Sequence, residues 1–97
     1  MGSYKLSGAA ASDIAGIFRF GIRKFGLGMA DKYLDELEAL FKELPDRPEL
    51  AGDASVFAHN LKYYRYKAHV LFYIMEEPGR IFIIRVLGKR MDFIRHL

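Results

Sequence analysis

Residues 60–87, NLKYYRYKAHVLFYIMEEPGRIFIIRVL, divide into three extended runs: Asn60 to Lys67, Ala68 to Met75 and Arg80 to Leu87. Each is rich in Tyr, Phe, Val and Ile, side chains that pack well on a pleated surface. Glu77-Pro78-Gly79 supplies a hairpin turn between the last two, since proline presets φ and glycine accepts the left-handed region. The runs predict a three-stranded antiparallel meander. Successive side chains alternate along a strand, which puts Phe82, Ile84 and Val86 on one side and Ile81, Ile83, Arg85 and Leu87 on the other. In the preceding run Val70, Phe72 and Ile74 oppose Leu71, Tyr73 and Met75. Both faces of this sheet are therefore apolar.

Upstream of the meander the period changes to helical. Tyr4-Lys5-Leu6-Ser7 reads as a short opening strand, with Ser7 placed to cap a helix that runs to about Phe25. Ile14, Ile17, Phe18, Ile22 and Phe25 form its apolar stripe, while Phe20 lies off it and is expected to pack against something else. Gly26-Leu27-Gly28 predicts a tight corner. A second helix follows from roughly Met29 to Leu44, burying Ala30, Tyr33, Leu34, Leu37, Leu40, Phe41 and Leu44 and turning a charged face to solvent. Pro45 and Pro48 stop it, and a loop with turn residues Gly52 and Asp53 continues to about Ala58. Met91 to Leu97 closes the chain as one or two helical turns. The prediction is an α+β fold of order β-α-α-β-β-β-α, with a single domain over residues 1–97.

Composition narrows the chemistry. The chain has 97 residues, 52% apolar and 28% charged, the balance of one globular domain. With no cysteine, disulfides, thiolate zinc sites and cysteine nucleophiles are excluded. No apolar run approaches the ~20 residues of a membrane span, and no basic segment followed by an apolar stretch suggests a secretory leader, so a cytoplasmic protein is expected. His59, His69 and His96 have no close two-ligand spacing and no phosphate-cradling glycine motif occurs, so neither a metal nor a nucleotide cofactor is expected. The net charge of +3 conceals a division. Residues 1–26 hold four basic groups against one acidic, residues 27–57 three against eight, and residues 58–97 eight against three. A basic final third suits an acidic partner or nucleic acid; the acidic middle argues against a surface that wraps DNA uniformly.

Two short helices cover one face of a small sheet, so the second face is expected to form an exposed apolar groove for another chain. At ~25 cal/mol per Å², a wet sheet face forgoes several kcal/mol, and the isolated chain is expected to be marginal. Arg65 and Arg85 alternate with apolar residues on that face. Either their stems pack on the sheet and their heads reach water, or their planar forks receive a carboxylate or phosphate from outside.

Tyr66-Lys-Ala-His69-Val-Leu-Phe-Tyr73, then Ile83-Ile-Arg85-Val-Leu87, then Arg90-Met-Asp92-Phe-Ile-Arg-His96-Leu97 closely resemble ParE toxins. So does the opening Tyr4-Lys-Leu-Ser7 with Ala10, Asp13-Ile14 and Ile17, and the resemblance spans nearly the whole chain. It implies the RelE/ParE superfamily fold, a helical hairpin on a small antiparallel sheet. Gly88-Lys89 departs from the family, in which many members carry a histidine there. The implied function is that of a type II toxin that inhibits DNA gyrase and blocks replication. A ParD-like ribbon-helix-helix antitoxin would hold it in a hetero-oligomer, wrapping it with an acidic amphipathic segment and contacting operator DNA on its behalf. Arg65, Ala68, Arg85 and Leu87 are the expected antitoxin contacts, with Ile14, Phe18 and Leu37 as alternatives if the partner lies along the hairpin. Two other readings stay open. One is a RelE-like, ribosome-dependent mRNA endoribonuclease drawing on Arg65, His69, Arg85 and His96; the other is an inactive relic that only binds antitoxin.

Overall fold

The meander forms, as the middle of a five-stranded sheet. The computed structural model describes residues 2–97, with Met1 outside the described part. In chain order the elements are β1 (Ser3–Leu6), α1 (Gly8–Phe25), α2 (Leu27–Glu43), two 3-10 turns (Leu44–Asp46 and Pro48–Leu50), β2 (Gly52–Asp53), β3 (Lys62–Tyr66), β4 (His69–Glu77), β5 (Arg80–Gly88) and α3 (Phe93–His96). The strand order is β1-β5-β4-β3-β2. β1 runs parallel to β5, and the remaining pairs are antiparallel.

The local signals act where the sequence places them. Glu77 pairs with Arg80, leaving Pro78-Gly79 as the connection, and Gly79 takes φ +80°. Gly26 at the helix corner takes φ +91°, a conformation in which any Cβ is strained. Ser7 Oγ accepts from the Ala10 amide at 2.9 Å and donates to the Ile84 carbonyl at 2.6 Å, so one hydroxyl both caps α1 and ties it to β5. Helix α2 begins at Leu27, two residues earlier than its periodicity suggested, because Gly26 completes the corner alone.

The helices pack on one face of the sheet. Leu37, Leu40, Phe41 and Leu44 meet Leu71, Tyr73, Ile81, Ile83 and Val86 there, with Ala10 beneath them. The other face is not the bare surface expected from the helix count. Val70, Phe72 and Leu87 are buried on it beneath Ala54 and Leu61 from the connection to β3. Phe57 and Phe93 stand edge-on to Phe72, with ring centroids 6.2 and 5.0 Å away. The 54–61 loop and the turn at α3 thus supply the missing layer, their aromatic residues doing what a third helix would do. Ile74, Phe82 and Ile84 stay half-buried at the uncovered end.

Strict alternation also fails at two points, one between the Met75–Ile81 and Glu77–Arg80 pairs, where Glu76 is unmatched in β4, and the other in β5. Phe72 pairs with Arg85 while Tyr73 pairs with Ile83, so Ile84 is an extra residue in β5. This bulge moves Val86 onto the helix-facing side and leaves Leu87 beneath the loop.

Helix α1 outruns its support. Its stripe is half-buried from Ile14 through Phe18, but Phe20, Phe25, Leu27 and Met29 at the hairpin tip are each more than half exposed. Ile22 and Phe25, expected in the core, therefore lie at an edge with no sheet beneath them.

Candidate functional site

The exposed tip opens into a groove of about 410 Å³ between α1, α2 and the turn joining β3 to β4. Ile17, Leu34 and Leu37 lie at its base and Phe18, Phe20, Phe25 and Met29 form its walls. The helical period creates it: α1 and α2 diverge from Gly26, and the small residues Gly21 and Ala30 let them approach, a Cβ on Gly21 falling 3.3 Å from that of Ala30. Two cations border the groove. Lys24 Nζ lies 5.5 and 5.6 Å from the ring centroids of Phe20 and Phe25, and Lys67 Nζ lies 5.9 Å from that of Tyr33.

A polar cluster forms the far wall. Tyr33 on α2 and His69 at the start of β4 share a hydrogen bond of 2.6 Å between the hydroxyl and Nδ1. Glu36, one turn along α2, accepts from the Tyr66 hydroxyl at 2.9 Å and from Lys67 Nζ at 2.7 Å through the same oxygen. The turn is tight, with Lys67 at φ +52°. Burial, followed by the Tyr66 phenol beside it, pushes the Tyr33 hydroxyl above the usual tyrosine range. Burial lowers His69 below the usual histidine value. Either group can be the donor in this contact, since the Tyr33 hydroxyl also lies 3.5 Å from the Tyr66 carbonyl and can give its proton there while accepting from Nδ1. The Lys67 ammonium, then the Tyr66 hydroxyl, hold Glu36 below the usual carboxylate range.

Of the expected contact residues, Phe18, Leu37 and Ala68 line this groove. Ala68 is exposed and Phe18 half-buried, whereas Leu37 is fully buried beneath them. Ile14 packs against the main core. Leu87 is 1% exposed, enclosed by the chain's own loop. Arg65 is exposed on the opposite face, its guanidinium 5.9 Å from the Tyr63 ring and beside a smaller hollow of about 190 Å³ bounded by Phe57, Phe72 and Phe93. Arg85 already has its carboxylate. Its Nε and Nη2 grip the two oxygens of Asp13 at 2.7 and 2.8 Å, and Nη1 donates to the His96 carbonyl at 2.6 Å. Asp13 also accepts from the Val86 amide at 3.0 Å, satisfying β5 just past the end of β1.

The four residues offered for RNA cleavage are thus dispersed. His69 faces α2, Arg65 lies on the other side of the sheet, and Arg85 is joined to His96 only through the backbone. Tyr33, Lys24 and the tip residues were missed as site residues, although the position of Phe20 off its stripe was a sign of an outward surface. Asp13 had a sign too, as the single carboxylate among the first 26 residues. Among the described residues no three His, Asp or Glu side chains gather to hold a metal ion, and no helix is long and apolar enough to cross a membrane.

This α+β architecture, a helical hairpin on one face of a five-stranded sheet, has a counterpart among solved structures. The chain is similar to a solved chain from the "Chromosomal ParDE TA system from P. aeruginosa", with a TM-score of 0.75 over 91% of this chain and 96% of that one, at 17% identity. The profile of the family described as "ParE toxin of type II toxin-antitoxin system, parDE" matches residues 4–93, and the chain belongs to that family. "Toxin ParE1" of Mycobacterium tuberculosis, from two strains, is 29% identical over 94 residues, covering 97% of this chain and 96% of the relative.

Proposed function

We propose that this ParE-type toxin acts in the cytoplasm by inhibiting DNA gyrase and is neutralised by a ParD-like ribbon-helix-helix antitoxin, whose acidic amphipathic segment lies in the hairpin groove. The groove carries the reading: an apolar channel bordered by Lys24 and Lys67, continuous with a tip of exposed Phe20, Phe25, Leu27 and Met29. Such a surface matches a helix with apolar anchors on one face and carboxylates along its flanks. The basic final third supports the same charge complementarity, with Arg65 as a second contact on the far face. Operator DNA is contacted by the antitoxin in the hetero-oligomer rather than by the toxin. Supercoiling by purified gyrase, run beside ribosome-dependent mRNA cleavage, tests the target. Inhibition of supercoiling without cleavage is expected. Cleavage alone would overturn the reading in favour of an endoribonuclease, and neither activity, with antitoxin binding retained, would leave a relic.

A further inference from the structure

We propose that the outward face of the α1–α2 hairpin is a self-recognition surface, on which a second copy of this chain docks about a two-fold axis parallel to the helices. The two arms of the hairpin carry opposite charge. On α1, Arg19 and Arg23 are one turn apart and exposed, and the only carboxylate of that helix, Asp13, is already gripped by Arg85. On α2, Asp31 and Asp35 are likewise one turn apart and exposed. None of these four exposed charges forms a salt bridge among the described residues. Lys32 lies four residues before Glu36, on the side of α2 that meets Lys67 in the β3–β4 turn, and so stands away from this face. The helix dipole accounts for Arg23 in the last turn of α1, but it fades within one turn and leaves Arg19 and Asp35 without a reason.

Distance from the corner makes the arms match. Arg23 and Arg19 precede Gly26 by three and seven residues, and Asp31 and Asp35 follow it by five and nine. At ~1.5 Å per residue, each arginine therefore sits within about 3 Å of the height of one aspartate along the hairpin. A two-fold axis along the hairpin sets α1 of one copy antiparallel to α2 of the other, with both tips at the same end. Arg23 then faces Asp31 of the second copy and Arg19 faces Asp35, and symmetry makes each contact twice. Helical spacing adds an apolar anchor to each stripe: Ile22, between Arg19 and Arg23, and Leu27, one turn before Asp31, are both exposed. Farther from the tip, the exposed Ala15 and Ala39 are too short to hold the helices apart. The contact is small, which places it among weak and transient interfaces. It does not rest on the antitoxin reading, because the groove opens on the other side of the hairpin, toward the β3–β4 turn.

Sedimentation equilibrium of the full-length toxin alone tests this, with neither antitoxin nor gyrase present. A reversible dimer with a micromolar Kd is expected. Its Kd should rise about tenfold between about 0.1 M and about 1 M salt, as the screening length falls from ~10 to ~3 Å. Toxin carrying Arg19→Glu with Arg23→Glu is expected to be monomeric, and so is toxin carrying Asp31→Lys with Asp35→Lys, because each change sets like charges against each other across both contacts. Mixed in equal amounts, the two variants are expected to regain the dimer, since both contacts then join opposite charges again. All four positions are exposed, so the circular dichroism spectra should match that of the parent. Parent toxin that stays monomeric at about 100 μM, far above a micromolar Kd, overturns the interface. So does a dimer that survives either pair of substitutions, or a mixture of the two variants that stays monomeric.

Discussion

Asp13 and Arg85 show how far a single side chain can be read in advance. The arginine was legible as a fork in need of a carboxylate, but an external partner and an internal one look alike until the strand bulge and α1 are placed together. Asp13 satisfies both the guanidinium and the Val86 amide, so its loss leaves three N–H donors, Arg85 Nε and Nη2 and the Val86 amide, without this acceptor. Asp13→Ala is expected to cost about 2 to 3 kcal/mol in urea denaturation, below the full value for a deeply buried pair because both side chains keep some solvent contact. Arg85→Ala should cost less, since the carboxylate retains the amide. The opposite sign is expected at Tyr73. It is fully buried, with its hydroxyl unpaired among the described residues, and burial lifts its phenol to about 12. Tyr73→Phe should therefore stabilise the protein by about 1 kcal/mol, read as a higher denaturation midpoint at unchanged slope. Nothing in the sequence distinguishes Tyr73 from its neighbours, because an orphaned hydroxyl is a property of packing rather than of residue type.

Elements with a strong period were the most legible. The buried face of α2 and the Pro78-Gly79 hairpin follow directly from spacing and turn chemistry, and Ser7 caps as its position requires. What periodicity missed was the contribution of segments that have no period. The loop to about Ala58 read as a connection and Met91 to Leu97 as a closing helical turn, yet Ala54, Leu61, Phe57 and Phe93 close the second sheet face. Phe93→Ala is expected to cost about 2 kcal/mol, less than a fully buried phenylalanine would. It should also raise the fluorescence of a dye that binds apolar surface, as Phe72 and Leu87 become wet. A variant as stable as the parent, with no dye response, would show that this layer contributes nothing. The groove was legible only in part: Phe18, Leu37 and Ala68 were named, but the overhang of the hairpin beyond the sheet depends on three-dimensional lengths that a stripe does not encode.

For the molecule as a whole, stability and partner binding are predicted to separate. Phe20 and Leu27 are 53% and 58% exposed, so Phe20→Ser and Leu27→Ser should leave the denaturation midpoint nearly unchanged while each weakens antitoxin binding by about 1 to 2 kcal/mol in calorimetry. Acid should act through His69 in a defined direction. Its folded value lies below the unfolded one of ~6.5, so its contribution to stability is complete above that pH and is lost as pH falls through the depressed value. The midpoint measured against pH should be flatter in His69→Gln over that interval. The first strand carries a different kind of consequence. Ser3–Leu6 pairs with residues 80–83, so this strand leaves the ribosome well before the partner strand it must wait for. At roughly 5 to 20 residues per second that delay lasts several seconds, during which the nascent toxin lacks its finished sheet. A neutraliser made beforehand would therefore be waiting when the poison first takes shape.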